Sequence, residues 1–136
     1  MGQALILDFY VLNFYMINIK RLFKSFAYAS RGLVKIFREE QNLRIQTAIA
    51  AGVIMAAWYF KVSRIEWSVL ILTITMVVLM ETVNTAVELI TDVLKPRING
   101  YVKTIKDVMA AAVVISSIAA AVVGVIIFWP YLWALF

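Results

Sequence analysis

Apolar and polar positions follow four distinct patterns along the chain. Between Ile19 and Glu39, the residues Leu22, Phe23, Phe26, Leu33, Ile36 and Phe37 recur at helical spacings, with Lys24, Arg31, Lys35 and Arg38 between them. Such a helix has an apolar and a basic face and suits the plane of a membrane surface. A solvated helix is the plainer alternative, but a basic face beside a membrane span favours the interfacial one. Three apolar runs follow, at about 43–60, 67–94 and 103–130. Their lengths are close to, or above, the ~20 residues a helix needs to cross ~30 Å of hydrocarbon. Residues 61–64 form a short loop, and Lys95 with Pro96 ends the second run, because proline cannot continue a helix without losing a hydrogen bond. Asn99 and Gly100 then turn the chain. The third run is uncharged from Val108 onward, and Trp129, Tyr131 and Trp133 suit its far interface. The expected fold is an all-α membrane protein with an N-terminal amphipathic surface helix at about 19–39 and three transmembrane helices.

Composition agrees with this picture. Of 136 residues, 64% are hydrophobic, where a soluble domain is roughly half apolar, and the length suits one domain. The net charge of +5 does not point to nucleic acid, because the bases flank long apolar runs. Of the 13 Lys and Arg, six precede the first span and Arg44 stands at its entrance, two lie in the first loop, four lie from Lys95 to Lys106, and none follows. By the positive-inside rule the N-terminus and second loop are cytoplasmic, which fits a bacterial inner (cytoplasmic) membrane protein. Residues 1–15 are largely apolar with Asp8 as their one charged side chain, and the positive charges come after them, the reverse of a secretory signal. The segment from Met16 looks like an ordinary start. Residues 1–15 are therefore expected to be a misassigned or dispensable extension, with 16–136 as the single domain. Cys and His are both absent, which excludes disulfides, thiolate metal sites, Ser-His-Asp triads and histidine acid/base chemistry.

The chemistry-bearing segment is 81–92, where Glu81, Asn84, Glu88 and Asp92 are spaced by three, four and four residues. At 100° per residue the four share one helix face. Acids inside a span cost several kcal/mol unless paired or wet and are functional by default. Asn84 alone would be interhelical glue. Three acids in register repel one another unless a cation joins them, whether Mg²⁺, a proton, or Lys and Arg. Lys106-Asp107, at the start of the third span, sits near the level of Asp92; a helix-start Asp with a snorkelling Lys is an equally good reading of that pair. Glu39-Glu40 is ordinarily a solvated pair but lies near Glu88 if the helices bundle. Carboxylates with Lys and Arg at a wet membrane edge suit Mg²⁺ and phosphate. No P-loop or other Gly-rich phosphate loop is present.

The stripe resembles the signature of the bacterial membrane diacylglycerol kinase/undecaprenol kinase family, approximately E-x-x-N-[ST]-[AG]-[IV]-E-x-x-x-D, here Glu81, Asn84, Thr85, Ala86, Val87, Glu88 and Asp92. Arg21 to Leu33, Glu40 to Ile45, and Lys106-Asp107 with Ala110 to Val113 resemble three further family elements in the expected order. The resemblance implies a homotrimeric helix bundle with active sites at protomer boundaries. It implies transfer of the γ-phosphate of ATP, with Mg²⁺, to a membrane lipid alcohol, giving phosphatidic acid or undecaprenyl phosphate. By position, Glu81 would be the general base, Asn84 would orient the carboxylates, and Glu40 and Glu88 would hold the metal that bridges ATP. Arg21, Tyr28, Lys106 and Asp107 would contact nucleotide and phosphates. Two departures stand out: Asn99 where the family often has His, and Met109 where a small residue is common. A proton- or cation-coupled transporter using Glu81, Glu88 and Asp92 explains the buried acids but not the bases at one edge. A non-catalytic subunit held by small-residue contacts leaves the acids unexplained.

Overall fold

The computed structural model describes residues 18–135, and of residues 95–100 the backbone alone; the 1–15 extension lies outside the described residues. All regular structure described is helical: α1 (Ile19–Glu39), α2 (Gln41–Tyr59) and α3 (Arg64–Trp133). The chain divides into two compact units between Lys35 and Ile36.

Asn18 starts α1 by accepting the Arg21 N–H on Oδ1 at 3.1 Å, satisfying one of the first-turn donors that have no intrahelical partner. No residue of α1 is buried, and Phe23 and Phe26 remain 70% and 65% exposed. Rings on one face and bases on the other suit the boundary between headgroups and acyl chains.

In the second unit, Glu40 breaks the helical path with extended backbone (φ −94°, ψ 114°), and α2 begins after it. Lys61, with φ 51°, makes the tight turn after α2. Ser63 and Glu66 then form a capping box: Ser63 Oγ accepts the Glu66 N–H at 3.3 Å and Glu66 Oε2 accepts the Ser63 N–H at 2.7 Å.

The 70 residues of α3 do not run straight. On a straight helix Glu66 and Tyr131 would be ~97 Å apart and Asp92 and Lys106 ~21 Å apart. Instead the Tyr131 hydroxyl donates to Glu66 Oε2 at 2.8 Å, and Lys106 Nζ meets Asp92 Oδ1 at 2.8 Å. The axis therefore reverses, and the arms Arg64–Leu94 and Tyr101–Trp133 lie antiparallel. The sequence led us to expect a separate loop after Lys95, but helical backbone continues through 95–100. Proline removes one N–H donor, yet its fixed φ is itself helical, so Pro96 does not force the backbone out of helical turns.

Both arms are long and apolar enough to cross a membrane. α2 falls short on that measure, because Asn42, Arg44 and Gln46 occupy its first two turns. The best-packed region lies where α2 turns into α3: Ala57, Val62, Leu70 and Ile127 are buried, with Phe60, Trp67, Phe128 and Tyr131 against them. Phe60 is 6.2 Å from Phe128 and 5.9 Å from Tyr131, centroid to centroid, at tilted angles that ring quadrupoles favour.

Leu70 is 3% exposed and Leu72, two residues on, is 70% exposed. In lipid, burying Leu70 gains packing rather than transfer from water. Leu70→Ala is expected to cost near the low end of the about 2–5 kcal/mol seen for core truncations. Leu72→Ala should cost close to nothing. Unfolding in mixed micelles with rising sodium dodecyl sulfate measures both.

Candidate functional site

The described residues bring Glu81 and Glu88 within electrostatic reach of Glu40. Glu81 is 1% exposed and is the largest fully buried side chain. It sits on the Arg64–Leu94 arm facing α2, where Gln46 Nε2 donates to its Oε2 at 3.2 Å. A carboxylate can only accept, so the amide must present its N–H end to it. One turn along the arm, Asn84 Nδ2 donates to Glu88 Oε1 at 3.4 Å. Thr85 and Thr91 are buried on the same arm and return their hydroxyls to the carbonyls of Glu81 and Glu88 at 3.1 and 2.9 Å, so neither competes for the carboxylates.

Three buried acceptors in this cluster have no donor among the described residues: Glu81 Oε1, Gln46 Oε1 and Asn84 Oδ1. Leaving one buried acceptor unmatched costs about 1–3 kcal/mol, so three together mark a place built for something that arrives. Glu40 joins from the start of α2. It occupies the N-cap position but makes no side-chain cap bond, which leaves its carboxylate for other work. Burial pushes its proton affinity up first, and the charges of Glu88, Glu81 and Glu39 push it further. Carboxylates that repel across this gap would be relieved by a cation between them, so the donor set fits Mg²⁺. No three acidic residues among those described cluster tightly enough to enclose a metal alone. Mg²⁺ does not require that, since it commonly takes one or two carboxylates and completes its shell with phosphate oxygens and water.

Toward the reversal of α3, Asp92 and half-buried Lys106 form the ion pair already described, with Lys106 also within electrostatic reach of Glu88. Asp107 is exposed beside it. Arg21 and Tyr28 belong to the first unit and are exposed, with the Arg31 guanidinium over the Tyr28 ring at 5.1 Å. The Asn99 side chain lies outside the description, and Met109 is half-buried.

On the other side of Gln46 is an apolar groove of about 350 Å³ between α2 and the two arms. It runs from Gln46 to Phe128 and owes its width to Ala50, Ala120, Ala121 and Gly124. Ile49, 61% exposed, stands at its rim. The hydrophobic pattern gave no sign of this groove. Nor did it single out Gln46 beyond its place at the start of a span; an amide inside an apolar run, opposite a carboxylate on the next helix, was the available signal.

The sequence model for prokaryotic diacylglycerol kinase matches residues 27–128. The undecaprenol kinase of Bacillus subtilis (strain 168) is 32% identical over 115 residues, 85% of this chain and 94% of that protein. The diacylglycerol kinase of Synechocystis sp. is 36% identical over 115 residues, 84% of this chain and 66% of that one. The diacylglycerol kinase of Escherichia coli (strain K12) is 28% identical over 112 residues, 82% and 91% of the two chains.

The Glu40 environment has a measurable consequence. A carboxyl whose proton affinity is raised by folding makes the folded state hold its proton more tightly than the unfolded chain does. Stability therefore falls as pH rises from the ordinary glutamate range through the raised value, and the deficit persists above it. Without divalent cation, Glu40→Gln should raise stability at neutral pH and flatten the fall across that window. Detergent-unfolding midpoints between pH 4 and 8 check this, and Mg²⁺ should narrow the difference between variant and parent.

Proposed function

The chain belongs to the prokaryotic diacylglycerol kinase family and is a membrane lipid kinase that uses ATP, and from that premise we propose that it phosphorylates the hydroxyl of a single lipid alcohol lodged in the groove, at Glu81. The observation that carries this is the buried Glu81 carboxylate, with one oxygen unpartnered, beside the polar end of an intramembrane groove. A lipid chain fills the groove and places its hydroxyl at Glu81 Oε1. The O–H proton passes to that oxygen as the alcohol oxygen bonds to the γ-phosphorus. The bond from the γ-phosphorus to the bridging oxygen breaks, and ADP leaves. Phosphoryl transfer asks mainly for positioning and charge neutralisation, so little is demanded of the base.

Glu40 and Glu88 are proposed to hold Mg²⁺, which neutralises phosphate charge when bound, and Asn84 fixes Glu88 through the 3.4 Å bond. Lys106, Asp107, Arg21 and Tyr28 are proposed to contact nucleotide and phosphates; a phosphate reaching Lys106 competes with Asp92 for its ammonium. Residues 16–136 form the working domain in this reading. It includes three spans, with α2 as the first, and a homotrimer whose protomers cover the apolar faces that one chain leaves exposed. The inner-membrane placement and cytoplasmic second loop rest on the distribution of bases. The named relatives act on undecaprenol and on diacylglycerol, and both are candidate substrates here. The transporter reading has no support from the family.

Purified protein in mixed micelles should transfer the γ-phosphate of MgATP to diacylglycerol or undecaprenol, offered separately, and to no soluble alcohol. Glu81→Gln and Glu88→Gln should abolish transfer with little loss of assembly, and Glu81→Gln should hold or raise stability because a buried charge is gone. Asp92→Asn should matter less, because a neutral partner still hydrogen-bonds Lys106. A Cβ at Gly124 meets nothing within 4 Å, so Gly124→Leu should fill the groove without a backbone clash. It should raise KM for the lipid while leaving KM for MgATP in place. Transfer to neither lipid by folded protein, or full activity in both Gln variants, would reject this reading.

A further inference from the structure

We infer that Gln46 is the positioning residue for Glu81: by holding Oε2 it leaves Oε1 as the one carboxylate oxygen that can take the lipid proton. The inference rests on the kinase reading above. Its geometric basis is the 3.2 Å bond from Gln46 Nε2 to Glu81 Oε2, which joins α2 to the Arg64–Leu94 arm inside the apolar part of the fold. A carboxylate attached to a helix by three rotatable side-chain bonds can otherwise turn its plane freely. The amide removes that freedom, because any orientation other than this one, or its equivalent half-turn, would lose the hydrogen bond in a buried place.

Two further observations separate this from interhelical glue. Gln46 joins the helices through its N–H end alone, and its Oε1 is buried with no donor among the described residues, which leaves that end for a ligand. Gln46 also lines the groove, so its amide stands between the apolar path of the lipid and the carboxylate. The free Gln46 Oε1 is placed to accept the O–H of an arriving alcohol before its proton passes to Glu81 Oε1. The residue therefore acts on both partners of the proton transfer, at a site where a misplacement of about 1 Å can cost about 10²-fold in rate.

The test compares Gln46→Met and Gln46→Glu with the parent, after the parent has been shown to phosphorylate a lipid alcohol. A parent without activity rejects the kinase reading itself, so the two failures are distinguishable. Gln46→Met keeps length and volume but neither donates nor accepts as an amide does. It should lower kcat for the lipid about 10²-fold with KM for MgATP within twofold of the parent, and with the unfolding midpoint in sodium dodecyl sulfate unchanged or higher. Gln46→Glu can donate to Glu81 only when it carries a proton, so it should retain activity with its pH–rate profile displaced to lower pH. Folded Gln46→Met with kcat within twofold of the parent would overturn the inference. So would a Gln46→Met that merely loses its fold together with a Gln46→Glu profile that superimposes on the parent's.

Discussion

A carboxylate inside an apolar helix bundle is expensive to hold, and Glu81 is the position around which the second unit is arranged. The residues that surround it follow from that cost. Gln46 is spent on one of its oxygens. Thr85 and Thr91 turn their hydroxyls to backbone and stay out of the way. Glu88 is held by Asn84, and Glu40 is left uncapped at the start of α2, where it faces the same charges. A protein that needed only a stable bundle would have apolar residues at these positions and be none the worse for it. Retaining them is intelligible where the site receives a proton donor and a cation.

The packing is divided accordingly. At the turn between α2 and α3, aromatic rings, a capping box and the Tyr131–Glu66 hydrogen bond fix the two arms to each other. Beyond Gln46 the same helices leave, between Ala50, Ala120, Ala121 and Gly124, a groove rather than a core. The well-packed end sets the register that carries Gln46 to Glu81, although neither residue is part of it.

Much of this was legible in the sequence, for identifiable reasons. The stripe from Glu81 to Asp92 could be read because helical periodicity is local and the four residues belong to one helix. The two long spans could be read because lipid imposes length and apolarity on any helix that crosses it. The reversal of α3 was expected as a loop, since Pro96 and Gly100 are usually punctuation; that helical backbone continues through them while the arms close at Asp92–Lys106 and Glu66–Tyr131 is seen only in contacts between residues far apart in the chain. The same holds for Gln46. Its role depends on a residue 35 positions away, and no pattern within α2 reveals it. The groove was invisible because it is made by what Ala120, Ala121 and Gly124 lack.

The groove at Gln46 has Ile49 exposed at its rim, so it opens sideways, and on the proposed reading a lipid enters it by diffusing in the plane of the bilayer. The quantity that governs encounter is then the number of lipid alcohols per unit area of membrane. An enzyme of this kind counts its substrate in two dimensions while it meets its nucleotide in three. Diluting the membrane with inert lipid would slow it, whereas diluting the suspension of membranes would leave the lipid side of its kinetics untouched.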